Sequence, residues 1–328
     1  MALFSFGKNK IVNLIIKDYV IRFVELKQPE DLIVHNWGER YLPAGLIHEG
    51  VIQDIETLTM ILEECIQDWK IAKKQVRFLV PDSSVVIRKL PIPEDVSADE
   101  IKGYLYMELG TSIHLPFEDP VFDFYLLEER ENKKQQILLF AAPEQNISAF
   151  ADLLEDVKLS PIAADISAIA LYRYYFQTSE PAKEEVAMLV QMDVKTVNVS
   201  IFEQHYPLFM RHLPMEVDEA KWEISRTNED REEFQYTGDN QEVYNGLEDI
   251  YKELDKVLSF YRYTLNKGEK QVNKMIVVGD HPWLSSVIEQ MNERFDYPVM
   301  QLTSKSIISD DPIPTSMLVT IGLGLKEV

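Results

Sequence analysis

The sequence predicts an α/β protein of two domains, with a small α+β module inserted in the first. Its 328 residues, 46 % of them hydrophobic, are enough for two cores. A strand–helix–strand–strand–helix–strand pattern covers Val85–Asp165, which is typical of a separate α+β module. Both halves of the chain also open with antiparallel strands and return to helices packed on a sheet, which indicates a duplicated architecture.

The composition excludes several classes of protein. The net charge is −22, from 33 Lys and Arg against 55 Asp and Glu. Nucleic-acid binding needs clustered basic residues, so this balance argues against it, and it also disfavours direct docking on anionic lipid. Cys65 is the only cysteine, which excludes an intrachain disulfide. The sequence has no apolar run of about 18 residues and no secretory signal, so we expect a cytoplasmic protein without a membrane span.

The first domain is predicted to cover residues 1–180. Apolar β-rich residues over Ile11–Leu26 predict a hairpin. Asp54 is a helix-capping residue type, and the apolar positions that follow have helical spacing, so we predict a helix over Ile55–Trp69. Val76–Val80 is predicted to be a strand that leads into the inserted module.

The inserted module is predicted to cover residues 85–165. Ser97 and Glu100 have the spacing of a capping box, which predicts a helix from Ser97 to about Leu109. A hairpin is expected next, then a helix that begins at Pro143 and a strand over Ile162–Asp165.

The second domain is predicted to cover residues 181–328 and to begin with three antiparallel strands between Glu185 and Leu213. The segment 216–249 contains 12 acidic and 3 basic residues, a net charge of −9. It is predicted to be a solvated loop with short helices; an electrostatic docking surface for a basic partner is the alternative. A long amphipathic helix is expected over 243–265. The remaining predicted elements are a strand at 274–278, a helix at 282–295, a strand at 299–302 and a helix at 313–325.

The sequence contains none of the common catalytic or metal-binding motifs. The histidines lack metal-ligand spacing, and there is neither a Gly-x-Ser-x-Gly motif nor a Walker loop. Only 12 of the 328 residues are glycine, below the average of about 7 %. Because glycines let the backbone wrap a phosphate, this shortage argues against a nucleotide cradle. We therefore predict no catalytic residue and no metal site.

Several segments together carry a family resemblance over about Lys10 to Lys326. Phe78-Leu79-Val80-Pro81 precedes the strand that ends at Pro91, and Ile113-His114-Leu115-Pro116-Phe117 follows the module helix. The chain closes with Leu318–Lys326. This order resembles the PilM proteins of type IV pilus assembly, relatives of FtsA in the actin-like ATPase superfamily. The resemblance implies an actin-like (ASKHA-type) α/β fold of two domains facing a cleft, with a small α+β subdomain inserted in the first.

Three turns that contact nucleotide in that family are altered. The two Asp-x-Gly phosphate turns correspond here to Ile15-Ile16-Lys17 and Gln191-Met192-Asp193, and the adenosine-side Gly-Gly-Gly turn to Gly279-Asp280-His281. An Asp at a phosphate-facing glycine position repels phosphate. The resemblance thus implies a degenerate nucleotide pocket and a pseudo-ATPase that uses no cofactor. Two alternatives remain: an ATP-binding protein in which Lys17 and Lys195 face the phosphates, and an FtsA-like filament former.

The resemblance also implies a partner. PilM proteins capture the short cytosolic N-terminal tail of a PilN-type membrane protein between the first domain and the inserted module. Arg88, Tyr104, Glu108 and Asp165 are predicted to line that region, the alternative for each being ordinary strand or helix surface. The expected location is the inner face of the cell membrane, reached through the partner, with the pilus ATPase or platform components as further contacts. The acidic balance suits a tail with juxtamembrane Lys and Arg.

Overall fold

The computed structural model describes residues 11–127, 135–226 and 232–327. The predicted N-terminal hairpin is confirmed, and its two strands are buried because they lie inside a five-stranded sheet. The Asp54 carboxylate accepts a hydrogen bond from Thr57 N at 3.0 Å, so the predicted cap of the first helix is also confirmed. The elements up to this point of the first domain are β1 (Val12–Lys17), β2 (Val20–Gln28), β3 (Ile33–Tyr41), β4 (Ile47–His48), β5 (Val51–Ile52), α1 (Ile55–Trp69) and β6 (Gln75–Leu79).

The inserted subdomain is a three-stranded antiparallel sheet with one helix on one of its faces. Ile101 and Leu105 of the helix pack on Ile137 and Leu139 of the central strand. The helix begins at Ile101 and not at Ser97, although the Glu100 carboxylate accepts a hydrogen bond from Ser97 N, as a capping box requires. The elements are β7 (Val86–Pro91), α2 (Ile101–Glu108), β8 (Pro120–Leu126) and β9 (Gln136–Pro143), in the sheet order β7-β9-β8.

The chain then returns to the first-domain sheet. The elements that follow are α3 (Glu144–Asp156), β10 (Ser160–Asp165) and α4 (Ser167–Ser179). Strand β10 pairs in parallel with β6 and completes the order β10-β6-β1-β2-β3. The α3 residues Phe150 and Leu153 are buried in the first-domain core. The inserted sheet thus ends at Pro143, whereas the module was predicted to end at Asp165. The sequence of a short parallel strand such as β10 does not indicate which sheet it pairs with.

The second domain repeats the topology of the first. Its elements are β11 (Val186–Met192), β12 (Thr196–Glu203), β13 (Tyr206–Pro214), β14 (Trp222–Arg226), β15 (Glu232–Tyr236), α5 (Asn240–Ser259), a π-helical turn (Phe260–Leu265), β16 (Lys274–Gly279), α6 (Leu284–Arg294), β17 (Val299–Gln301) and α7 (Leu318–Gly324). The sheet order β13-β12-β11-β16-β17 has the same parallel and antiparallel pairings as the first sheet, which confirms the predicted duplication.

The prediction for the acidic segment was wrong in its described part. Strands β14 and β15 form a hairpin instead of a loop with short helices, and residues 227–231 lie outside the described ranges. Trp222 is buried, and the Phe234 ring contacts the rings of Tyr19 and Tyr41 at 5.6 and 5.2 Å between centroids. These contacts from the first domain stabilise strands whose own sequence is too polar to indicate them. The long helix after the hairpin also changes character at Phe260, where the π-helical turn begins.

The last helix packs on the first domain. Helix α7 lies against α4 and β2, and Ile321 belongs to a core cluster shared by both domains. A Cβ on Gly322 would lie 2.0 Å from Ala170 O, so this close helix–helix approach requires glycine. In the described ranges we find no helix with the length and apolarity needed to cross a bilayer.

Candidate functional site

The cleft between the two domains contains a small cavity of about 100 Å³. It lies where the β1–β2 turn of the first domain faces the β11–β12 turn of the second. Its charged lining residues are Lys17, Asp18, Glu49, Asp82, Asp193 and Lys195. Small-molecule sites usually enclose about 300–1,000 Å³, so this cavity is small by that measure.

The residues at the two altered phosphate turns contact each other across the cleft. Lys17 Nζ lies 2.6 Å from Asp193 Oδ2, and both side chains are largely buried. Gln191 Nε2 donates a second hydrogen bond to Asp193 Oδ2 at 2.7 Å. Burial raises the pKa of Asp193 to about 6, although Lys17 opposes this shift. Ile15 is a core residue of β1, and Lys195 lines the cavity from the β11–β12 turn.

Gly279 ends β16 beside β11. Its φ is +146°, and a Cβ at this position would lie 1.9 Å from Met192 O. Hydrogen bonds hold the end of β16 to the end of β11, because Asp280 N and His281 N both donate to Met192 O at 3.1 Å. The contact between the strands therefore requires a glycine here, independently of any phosphate.

A second set of contacts joins the β1–β2 hairpin to the end of β16. Arg22 NH2 lies 2.6 Å from Asp280 Oδ2, and its Nε donates to Glu39. Tyr19 OH donates to Asp280 at 2.8 Å. Only 1 % of the Arg22 side chain is exposed. Burial opposes ionisation of Asp280, yet Arg22 and Lys17 hold the pKa of this carboxyl below its usual value.

Asp82 makes the third connection between the domains. Asn198 Nδ2 from β12 donates to Asp82 Oδ2 at 2.7 Å, and Ser167 Oγ donates to Asp82 Oδ1 at 2.5 Å. Burial raises the pKa of Asp82. We call the four pairs that cross the cleft the interdomain network: Lys17–Asp193, Arg22–Asp280, Tyr19–Asp280 and Asp82–Asn198. Arg22, Asp82 and Asn198 were not predicted as site residues from the sequence, although a lone Arg among the apolar residues of Val20–Leu26 was a signal.

His281 predicts how stability depends on pH. Its Nδ1 accepts a hydrogen bond from Trp283 N at 3.1 Å, and burial lowers its pKa to about 4, while Asp280 opposes the shift. The unfolded chain, with a His pKa of about 6.5, then binds more protons than the folded protein between these values, so stability falls as pH falls. We expect this group to remove about 2 kcal/mol between about pH 7 and pH 5.

The measurement is urea denaturation at both pH values for wild type and His281→Gln, which keeps a side-chain acceptor. The variant should lose less stability on acidification. Asp193, whose raised pKa acts in the opposite direction, is present in both proteins and so cancels from the comparison. Equal losses in the two proteins would contradict the prediction.

A larger groove of about 460 Å³ lies beside the inserted subdomain. We call it the lateral groove. One wall is formed by β8 and β9, the second by β10 and α4 of the first domain, and the third by Tyr206 and Pro207 at the β12–β13 turn of the second domain. Its lining is mainly apolar and includes Val85, Val121, Tyr125, Leu138, Phe140, Ile147, Ile166 and Ile169.

The structure divides the residues predicted for partner binding. Asp165 lies in the lateral groove, where Arg173 NH1 donates to its Oδ2 at 2.5 Å and Lys326 Nζ lies 3.8 Å from its Oδ1. Arg88 pairs with Leu139 in the β7–β9 register, on the face covered by α2, and donates to the backbone of His114.

Tyr104 and Glu108 also lie outside the groove. Tyr104 packs on the small core under α2, and the Glu108 carboxylate accepts a hydrogen bond from Ser112. The four residues therefore do not line one surface, because α2, with Tyr104 and Glu108, covers the face of the inserted sheet opposite the groove. In the described residues we find no group of three or more His, Cys, Asp or Glu side chains arranged to hold a metal ion.

A family model described as "Type IV pilus assembly protein PilM" matches residues 14–303. A solved structure, "PilM-PilN type IV pilus biogenesis complex", is similar at 17 % identity and a TM-score of 0.76, covering 96 % of this chain and 98 % of that one. The ethanolamine utilization protein EutJ from Carboxydothermus hydrogenoformans is similar at 10 % identity and a TM-score of 0.51, covering 98 % and 90 %. Comparison with curated protein sequences gave no match. The predicted actin-like ATPase fold is confirmed, with a five-stranded mixed sheet in each domain.

Proposed function

The chain belongs to the PilM family of type IV pilus assembly proteins, and from this premise we propose that it is a scaffold that captures the cytosolic tail of a PilN-like membrane protein. Capture occurs in the lateral groove and needs no ATPase activity. The scaffold is held at the inner face of the cell membrane through this partner. The observation that carries the proposal is an open, mainly apolar groove between the first domain and the inserted subdomain.

The shape and lining of the groove suit an extended peptide. Its volume of about 460 Å³ lies in the range of ligand sites. Peptides bind such grooves by inserting a few apolar side chains, which supply most of the affinity. Phe140 from β9 and Ile169 from α4, both half-buried, provide surfaces for such anchors on two walls. The overall similarity to the solved PilM–PilN complex supports a partner of this type.

Charge has a secondary role in this proposal. The ionisable acids and bases that line the groove are balanced: Asp123 and Asp165 against Arg173 and Lys326. The net charge of −22 is therefore carried elsewhere on the protein. It would attract basic residues that flank the anchor segment and would speed the encounter more than it would tighten the complex.

The interdomain cleft supports the absence of ATPase activity. Mg-ATP would have to place its phosphates where Lys17 and Asp193 now pair at 2.6 Å. Carboxylates of Asp18, Glu49 and Asp82 also line the cavity and would repel phosphate. The cavity of about 100 Å³ is smaller than usual ligand sites. These residues do not fit a nucleoside triphosphate.

The experiment is a binding titration with the synthetic, fluorescein-labelled cytosolic tail of the PilN protein encoded in the same genome. The nucleotide-free protein is expected to bind this tail, and a scrambled tail of equal composition serves as the control. No binding of the native tail, or equal binding of both peptides, would contradict the proposal.

A further inference from the structure

The two residues of one ion pair, Lys17 and Asp193, lie in the two turns that correspond to the phosphate turns of related proteins. Lys17 comes from the turn of the first domain and Asp193 from the turn of the second. Their side chains are 14 % and 4 % exposed, and their charged atoms lie 2.6 Å apart. A phosphate bound between the two turns would connect them through its oxygens. In this protein the side chains of Lys17 and Asp193 connect the turns directly.

The other pairs of the interdomain network cross the same cleft independently. Arg22 extends from the first domain to Asp280 in the second, and Asn198 extends from the second domain to Asp82 in the first. Moving the domains apart would expose or unpair all of these buried charges together, and an unpaired buried charge is strongly unfavourable. The protein's own side chains therefore hold the cleft closed.

The lateral groove depends on the same closure. Two walls belong to the first domain and its inserted subdomain, but the third, Tyr206 and Pro207, belongs to the second domain. The Tyr206 ring meets the Tyr125 ring of β8 with centroids 5.2 Å apart. Val80 lines both the cleft cavity and the groove, so the two sites are adjacent.

We propose that the interdomain network replaces a bridging nucleotide as a permanent lock, and that this lock completes the peptide groove by keeping Tyr206 and Pro207 in place as its third wall. The peptide part of this inference rests on the proposed function. The lock makes tail binding a property of the closed, nucleotide-free protein. A protein whose binding-competent state is less populated binds its ligand more weakly in proportion.

The test uses Lys17→Glu in the full chain, which places a carboxylate against Asp193. We expect a larger radius of gyration by small-angle X-ray scattering and about tenfold weaker binding of the labelled PilN tail, since the closed state is depleted. The charge reversal Lys17→Glu with Asp193→Lys should recover most of both losses. Lys256→Glu makes the same charge change at an exposed helical site, 67 % exposed, and should change neither quantity.

The outcomes separate this inference from the proposed function. Phe140→Ala, within the groove, is titrated in parallel. If Phe140→Ala weakens tail binding and Lys17→Glu leaves affinity and radius unchanged, the lock is wrong and the proposed function stands. If affinity falls without any increase in radius, the lock is also wrong, because the third wall has not moved. If Lys17→Glu does not fold, Lys17→Met replaces it, with an expected loss of about threefold and the same criteria.

Discussion

Replacing Arg22 with Met is expected to lower the free energy of unfolding by about 3–5 kcal/mol. The guanidinium is 1 % exposed and pairs with both Glu39 and Asp280. Met fills much of the same space, but it removes the Arg22 contact from Asp280, which is 8 % exposed and then keeps the hydrogen bond from Tyr19 OH. The cost arises mainly from that buried carboxylate.

The measurement is equilibrium denaturation monitored by tryptophan fluorescence. Arg40→Met is the matched control, because it removes an Arg from the neighbouring strand whose partner, Asp68, lies at 3.5 Å in an exposed pair. Such pairs contribute about 0–1 kcal/mol. Similar changes in the two variants would show that the Arg22 contacts do not hold the cleft.

Replacing Phe140 with Ala is expected to weaken binding of the PilN tail by about 30-fold, the effect of losing one central anchor contact. Phe140 is half-buried on the groove face of β9 and lies opposite Asp123 in the β8–β9 register. Its ring lines the wall that β8 and β9 form. The measurement is fluorescence anisotropy with the labelled tail and the folded variant.

Tyr106→Ala is the control for the groove variant. Tyr106 is an aromatic residue of the same subdomain, 64 % exposed on α2 and outside the groove, so its loss should leave affinity unchanged. Glu108→Lys tests the surface first predicted from the sequence. If Glu108→Lys abolishes binding and Phe140→Ala does not, the tail binds on the α2 face and the groove assignment is wrong.

Local patterns were sufficient for most of the elements. The helix over Ile55–Trp69 was predicted with its cap, because apolar spacing and Asp54 act within the segment itself. The hairpin of β14 and β15 was missed, because Phe234 packs on Tyr19 and Tyr41, which lie in the other domain. A sequence window cannot contain such contacts.

The same limit applies to the sites. The family resemblance predicted that Lys17 and Asp193 lie in one cleft. Their pairing depends on how the two domains are placed, which the resemblance did not predict. In β7 of the inserted sheet, side chains alternate between the two faces, so Arg88 and its sequence neighbours lie on opposite faces. This alternation does not indicate which face α2 covers. The face that α2 covers depends on the packing of Ile101 and Leu105. As a result, the residues predicted to bind the partner lie on two different surfaces.

Calorimetric titration of the nucleotide-free full chain with the PilN tail, repeated in the presence of Mg-ATP, tests the central claim most directly. The account predicts that the tail binds equally well in both conditions and that Mg-ATP injected alone produces no binding heat. Tail binding that requires Mg-ATP, or micromolar binding of Mg-ATP itself, would contradict a scaffold that is closed by its own side chains.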